Sequence, residues 1–361
     1  MEAAVITTVD AFVAERERWE ALYRADPQAQ MFLSWAWLAA YLPGVRDAWE
    51  IHVLREDDAL VAALPLLIRP LPHRRLPFAR ELACAGDPLA DYRGMLCRTG
   101  RADEAIAAFA VAIAALAWDR ADFNDVRDER FAPLVAQVVR RGGAELREGE
   151  SAACPSLALP ADYAAFLAGL SKPTRRATQR LQRFIAQQPR MSTSRPGPDD
   201  AEAHVQAVVG LNADRFGSSA LRRGRLTSLL RAAHATGCVR MRVVWDGPRP
   251  VAGAAAFVDP LGLTFGLYLI GHHRDYDRHS PGKGLIGMMV SDAIGEGYRE
   301  FDFLRGDAAF KNSYADRVTR NQRFRLRRPS LRNTLLDAIT PVYAAARAAA
   351  LLALRARPRS A

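Results

Sequence analysis

Proline, glycine, lysine and glycine occupy residues 281–284, and a helix-forming run from Leu285 to Ile294 follows them directly. Before them come a β-branched and aromatic segment, Leu263 to Ile270, short enough for a buried strand, and a polar loop, Gly271 to Ser280. Glycines at the mouth of a helix let a ligand approach the backbone, and the unpaired N–H groups and dipole there favour an anion. Gly282, Lys283 and Gly284 are therefore the candidate cradle for a phosphate. After Gly297 a second strand, Phe301 to Leu304, runs into Arg305-Gly306-Asp307 and then Phe310-Lys311-Asn312-Ser313-Tyr314, a loop dense in groups that bind or transfer protons. Asp302, Asp307, His272 and His273 are the candidate bases. An aspartate at a strand end starts too acidic and needs burial, whereas histidine already titrates near neutrality. Tyr314 is a candidate proton donor. Asp302 also reads as a cap or as an ion-pair partner of Arg305, and the histidines as parts of a solvated turn.

Around these residues the pattern alternates strands and helices. Cys238 to Trp245 and Pro250 to Val258 form a hairpin about Asp246-Gly247, with the strand at Leu263 as a third, so a three-strand meander leads into the glycine turn. In the first half, Asp10 to Arg24 is an amphipathic helix with Phe12, Trp19, Leu22 and Tyr23 as its apolar members. Ser34 caps a second helix that Pro43-Gly44 ends. Trp49–Leu54 and Leu60–Arg69 pair as a hairpin, with Pro65 marking a bulge or an edge. Between two short strands, Cys84 to Gly94 gathers Asp87, Asp91, Tyr92 and Arg93. Ser171 and Pro173 open a helix that brings Arg176, Arg180 and Arg183 near one face. Phe216 to Arg225 reads as a polar connection beside an acceptor pocket, Gln322 to Arg327 as a final strand, and Leu331 onward as a basic, alanine-rich helix.

A chain of 361 residues, 50% of them apolar, can bury a sizeable core and fits two domains better than one. Its net charge of +10 points to anionic partners, although an arginine- and alanine-rich composition would also raise the charge everywhere. Lysine is confined to Lys172, Lys283 and Lys311, each in a stretch already singled out, which suggests a use for a compact ammonium that guanidinium cannot meet. Cys84, Cys97, Cys154 and Cys238 show no paired framework and read as ordinary small hydrophobes in a reducing compartment, with no metal site. The N-terminal residues carry no signal-peptide pattern and the longest apolar run, Ala105 to Trp118, is shorter than a membrane span. The expected location is the cytoplasm.

His279-x-x-Gly282-x-Gly284, set between a strand and a helix, resembles the GNAT acyltransferase loop that holds the pyrophosphate of coenzyme A. Phe301 to Asp307, together with Phe310-Lys311, resembles the CelD-type acetyltransferases linked to cellulose and exopolysaccharide synthesis, which are similar to the Fem-type peptidyltransferases with their own Phe-Lys pair. The resemblance implies an α/β fold of tandem GNAT-like domains, each a mixed, largely antiparallel sheet flanked by helices. Residues 1–155 would form a first domain without a Gly-x-Gly coenzyme loop, 156–330 the acyltransferase domain and 331–361 a basic terminal helix. It implies acetyl-CoA or another acyl-CoA as donor, Lys311 at the transfer site or on an acceptor phosphate, and Asp91 and Tyr92 at an acceptor site between the domains. Asp91 reads equally as a turn residue and Tyr92 as core. Lys172, Arg176 and Arg305 are candidates to bind an acidic or phosphorylated acceptor; the helix arginines also read as a solvated basic face.

Acyl transfer needs an anchored donor, an acceptor stripped of its proton and donors for the oxyanion. The leading reading is an acyl-CoA-dependent N- or O-acyltransferase acting on a sugar or polysaccharide precursor. A Fem-like transferase fed by charged tRNA is the second, and would have no need of the Gly282–Gly284 cradle. Nothing beyond charge suggests RNA binding. A non-catalytic accessory protein of a polysaccharide synthase is the third. The terminal helix is expected to pack on the second domain or to lie on an anionic membrane surface.

Overall fold

A computed structural model describes residues 1–71, 76–197 and 199–334, the side chains of 76–78 apart. Its strands in the first half are β1 (Glu2–Ile6), β2 (Ala48–Glu56), β3 (Ala59–Leu71), β4 (Leu76–Cys84), β5 (Leu96–Cys97), β6 (Arg120–Val126) and β7 (Glu145–Ala158). In the second half are β8 (Met191–Ser194), β9 (Val239–Asp246), β10 (Arg249–Asp259), β11 (Thr264–His272), β12 (Glu300–Asp302) and β13 (Arg317–Arg327). They join in one 13-stranded sheet of order β1-β2-β3-β4-β6-β13-β7-β12-β11-β10-β9-β8, with β5 beside β3. Among the described strands only β4–β6 and β11–β12 pair in parallel, and each of those pairs is bridged by a helix, Ala102–Ala115 or Pro281–Gly295. The mixed sheet flanked by helices is thus a doubled version of one strand–helix–strand plan.

The expected meander is β9–β10–β11, and the hairpin about Asp57-Asp58 is β2–β3. Ser34 caps Trp35–Tyr41 by accepting from the Trp37 N–H, and Ser171 caps Lys172–Gln187 through the Thr174 N–H. Pro65 differs from expectation: it lies inside the sheet, without a register shift at its own position. Its missing donor goes unmissed because it falls between the β5 pairing at Ala62–Ala63 and the β4 pairing that begins at Leu66. Phe216–Arg225 also differs: Ser219 caps a helix, Ala220–Ala235, so the latter half of that segment is helical.

Three apolar layers hold the sheet. One lies under helices Ala102–Ala115 and Phe131–Gly142 with Phe109, Phe123 and Phe131, and another under Pro281–Gly295 with Leu285, Met289 and Phe301. The third runs through both halves, joining Trp19, Phe32 and Trp37 to Val208, Leu230 and Phe257. Residues 155 and 156 are neighbours within β7, and β13, from the end of the chain, lies between β6 and β7. Residues 331–334 begin a helical turn, and the rest of the expected terminal helix, 335–361, lies outside the described residues. Among the described residues no helix is long and apolar enough to cross a membrane, and no cluster of His, Cys, Asp and Glu is placed to hold a metal ion.

Candidate active site

Strands β11 and β12 pair over only three positions, Thr264–Gly266 against Glu300–Asp302. Beyond them β11 continues beside β10 alone, with a bulge at Tyr268, since Leu267 and Leu269 oppose adjacent residues of β10. Two parallel strands that part after a short contact leave a slot whose walls carry unpaired backbone groups. The helix Pro281–Gly295 starts at the far end of that slot. Ser280, at φ 52°, turns the chain into it, and the Gly284 N–H already bonds the Ser280 carbonyl. The N–H groups of Gly282 and Lys283 have no acceptor among the described residues, leaving two donors at a positive dipole end. Arg180 adds a guanidinium there by donating to the Arg278 carbonyl at 3.2 Å and Ser280 Oγ at 3.3 Å.

The cradle glycines divide. A side chain on Gly282 would meet only the His272 ring, at 3.7 Å, whereas one on Gly284 would overlap Leu181 and one on Gly287 would overlap Thr178. Gly284 is spent on the close approach of helix Lys172–Gln187. His279 stacks its ring on Phe184 at 3.6 Å and accepts from Arg278 Nε. Lys172 and Arg176 are exposed on that helix, and Arg183 folds back to the Arg176 carbonyl.

A second group gathers where β12 ends. Asp302 is buried and accepts from the Tyr92 hydroxyl at 2.8 Å, from Arg127 at 3.1 Å and from the Leu304 N–H at 2.7 Å. Burial raises its pKa while Arg127 and the Tyr92 bond oppose the rise. Arg127 also lies 4.4 Å over the Tyr92 ring. The Arg305 backbone N–H donates to Asp91, and its side chain pairs with Asp91 and Asp125. Asp91 is likewise raised by burial, against the pull of Arg305. Leu304 and Gly306 both have positive φ, 57° and 121°, so the chain leaves β12 through a tight turn that only glycine fills comfortably at the second position. Lys311 closes it by donating to the carbonyls of Arg305 at 2.7 Å and Leu304 at 3.3 Å, and burial lowers its pKa. Asp91, Tyr92, Asp302, Arg305 and Lys311 are thus brought together from both halves of the chain.

What delivers Asp91 and Tyr92 is the parting of β4 from β6. These strands pair only at Glu81–Arg120 and Leu82–Ala121, and beyond that the segment around Arg93 enters between them. The buried Arg93 donates to the carbonyls of Ala90 and Asn124 and pairs with Asp87 and Asp125. In the first half, then, the chain itself fills the slot that β11 and β12 leave open in the second.

The remaining candidates lie apart. The His272 ring sits between Arg215 and Asp277, and His273 between Arg249 and Asp275, at the end of β11 some six residues, roughly 20 Å, past Gly266. Asp307 is exposed and accepts from Asn312. Tyr314 is buried, its hydroxyl 2.7 Å from Thr178 Oγ1, and burial pushes it up to about 12. Arg127, Asp125 and Tyr268 were not legible as site residues, because only strand register brings them to Asp302 and Arg305. A cavity of about 740 Å³ opens beside Tyr92, Arg127 and Asp302. It is also lined by Gln30 and Glu300, whose Nε2 and Oε1 atoms are buried without partners.

Residues 168–312 match the model of an acetyltransferase (GNAT) domain. No curated protein matches the sequence. Among solved structures the chain is similar to FemX, at 11% identity and TM-score 0.63 over 90% of this chain and 97% of that one. It is also similar to the C-terminal domain of a putative lysylphosphatidylglycerol synthetase from Agrobacterium fabrum, at 14% identity and TM-score 0.53 over 93% and 97%. A tandem GNAT protein from the clavulanic acid biosynthesis pathway is similar at 14% identity and TM-score 0.50 over 91% and 100%. At such identities the likeness is one of fold. With the matched domain spanning the open slot and its helix, the chain is an acyltransferase enzyme on a GNAT-like fold.

Proposed function

We propose that the chain transfers an acyl group from acyl-CoA to a hydroxyl or amine of a sugar or surface-polysaccharide precursor. The observation that carries the donor is the pair of free N–H groups at Gly282 and Lys283 beside Arg180, at the end of an open slot. A pyrophosphate fits that combination of dipole, donors and guanidinium. The second half, 156–330, carries the donor, and the first, 1–155, supplies Asp91 and Tyr92 without holding a coenzyme. The cavity beside Asp302 takes the acceptor: its unpaired Gln30 donor and Glu300 acceptor suit a ligand rich in hydroxyl groups. The acceptor oxygen or nitrogen attacks the thioester carbonyl, its bond to the acyl carbon forms as the C–S bond breaks, and its proton passes to a carboxylate. Asp91 and Asp302, raised by burial, are better matched to that proton than an exposed carboxylate.

Calorimetric titration with acetyl-CoA tests this on the wild type and Gly282→Asp, which sets a carboxylate where the pyrophosphate would lie. Micromolar binding that the variant loses, with no loss of stability, supports the reading. No binding to the wild type overturns it. A Fem-like transfer from charged tRNA then takes its place. The commitment of Gly284 and Gly287 to helix packing favours that second reading, since it gives the glycines a purpose without a coenzyme.

A further inference from the structure

In the first half of the sheet, on the face opposite helices Ala102–Ala115 and Phe131–Gly142, the apolar layer that includes Leu67 and Ala83 gives way to polar residues from Arg69 and Glu81 onward. Arg69, Glu81, Arg120, Arg327 and Glu145 stand in register as one row over β3, β4, β6, β13 and β7. Ion pairs settle either end of that row, Arg69–Glu81 and Arg327–Glu145, and Arg120 between them donates to Asn333. The next row is different. It reads Asp122, Arg325 and Arg147 over β6, β13 and β7, and Asp122 is taken by Arg323 from the adjoining position. Arg325 and Arg147 are left directly opposite each other, exposed, and neither side chain makes a hydrogen bond or ion pair among the described residues. Like charges facing across two strands repel. A fold keeps such a pair at a cost unless an anion bridges it.

These residues line a cavity of about 670 Å³. Among the described residues six arginines and four carboxylates border it, a surplus of two positive charges. Asn124 borders it too, and its Oδ1 is buried with no donor, which asks for a hydroxyl or amide from a ligand. Among the described residues the apolar part of the lining is Leu71, Ala121 and Leu326, with no aromatic ring to stack a base. Four interspersed carboxylates would repel the dense charge of a nucleic-acid backbone but would accept from hydroxyl groups. A concave, polar wall likewise gives a bilayer nothing to insert against.

We propose that this face binds an anionic saccharide, with a carboxylate or phosphate lying between Arg147 and Arg325 and ring hydroxyls donating to Asn124 and the neighbouring carboxylates. The site stands apart from the Gly282–Lys283 cradle and needs no acyl donor. It would hold an acidic glycan against the enzyme while a remote part of it reacts.

The test is calorimetric titration of the full chain at low salt with a mannuronate tetramer, glucuronate and glucose 1-phosphate, with uncharged cellotetraose as the control. Binding of the charged saccharides but not of cellotetraose is expected. Arg147→Ser with Arg325→Ser should weaken it by about tenfold or more. The same double variant should melt no lower than the wild type, because a repelling pair has gone. A tetramer that binds far tighter than the monomers identifies a polymer chain as the source, and equal binding identifies a monomeric precursor; either outcome supports the site. Gly282→Asp should leave this binding unchanged, so its failure and that of the acyl-CoA reading are separable. Unaltered saccharide binding in the double variant, or no binding to the wild type, overturns the proposal. So does tighter retention of duplex DNA or anionic vesicles through the same two arginines.

Discussion

Gly284→Ala should destabilise the protein, and Gly282→Ala, two residues earlier in the same helix, should not. In each case alanine gains up to about 1 kcal/mol of helix propensity over glycine. At 282 the nearest atoms to the new methyl group belong to the His272 ring, at 3.7 Å, which is ordinary contact, so the gain is kept. At 284 the methyl group meets Leu181 at its Cβ, an atom fixed to the backbone of helix Lys172–Gln187, and Leu181 is 1% exposed. The helices must move apart. Overpacking of this kind costs about 1–3 kcal/mol, and a backbone-anchored obstacle puts it at the upper end. A net loss of about 2 kcal/mol at 284 follows, and a gap of about 3 kcal/mol between the variants. Urea unfolding followed by circular dichroism measures both. Leu181→Ala clears the γ and δ carbons but leaves the Cβ, so the double variant with Gly284→Ala should fall short of the sum of the single losses by about 1 kcal/mol. Wild-type stability for Gly284→Ala, or strict additivity with Leu181→Ala, would refute the packing argument and return Gly284 to the ligand.

Arg127→Met leaves Asp302 buried without its countercharge. The loss should be about 3 kcal/mol at neutral pH, the low end for a broken buried pair because a quarter of the Arg127 side chain is exposed. Burial already raises the Asp302 pKa, so between about 3.9 and the raised value the folded state binds more protons than the unfolded one, and stability falls as pH rises through that window. Without Arg127 the window widens upward, and the deficit should shrink in acid; an equal deficit at both pH values would show that Asp302 is not the group involved. The cysteines give a simpler check. All four are free and buried, with burial pushing Cys84 up to about 12 and Cys154 and Cys238 to about 11. A thiol reagent should label none of them in the native protein and all of them in denaturant, and rapid native labelling would contradict the packing around them.

Local chemistry made much of this legible in the sequence. Ser34 and Ser171 announced their helices by cap chemistry, and alternation marked β9, β10, β11 and β13. Phe12, Trp19, Leu22 and Tyr23 fell on the buried side that their spacing required. Pairing partners were not legible. Nothing near Gln322 says that its strand lies between β6 and β7, and nothing near Arg127 says that it meets an aspartate 175 residues later. Register is fixed by the match of whole faces, which no short window contains. The two roles of the cradle glycines were hidden for the same reason: Gly282 and Gly284 look alike until helix Lys172–Gln187 is laid against one of them.

The position of β13 bears on how the chain is made. While the protein emerges from the ribosome, β6 and β7 are complete long before the strand that lies between them. Residues 159–316 must be synthesised first, roughly 8–30 s at about 5–20 residues per second. For that time the edges of β6 and β7 that β13 will join stand open, and so does an apolar layer, Phe123 and Phe131 with it, that Phe324 and Leu326 have yet to cover. Exposed edges recruit strands from other chains. Charged residues along the waiting edges, Glu145, Arg147 and Glu148 on β7 and Arg120 and Asp122 on β6, would hold a newborn copy apart from its neighbours until its own last strand arrives.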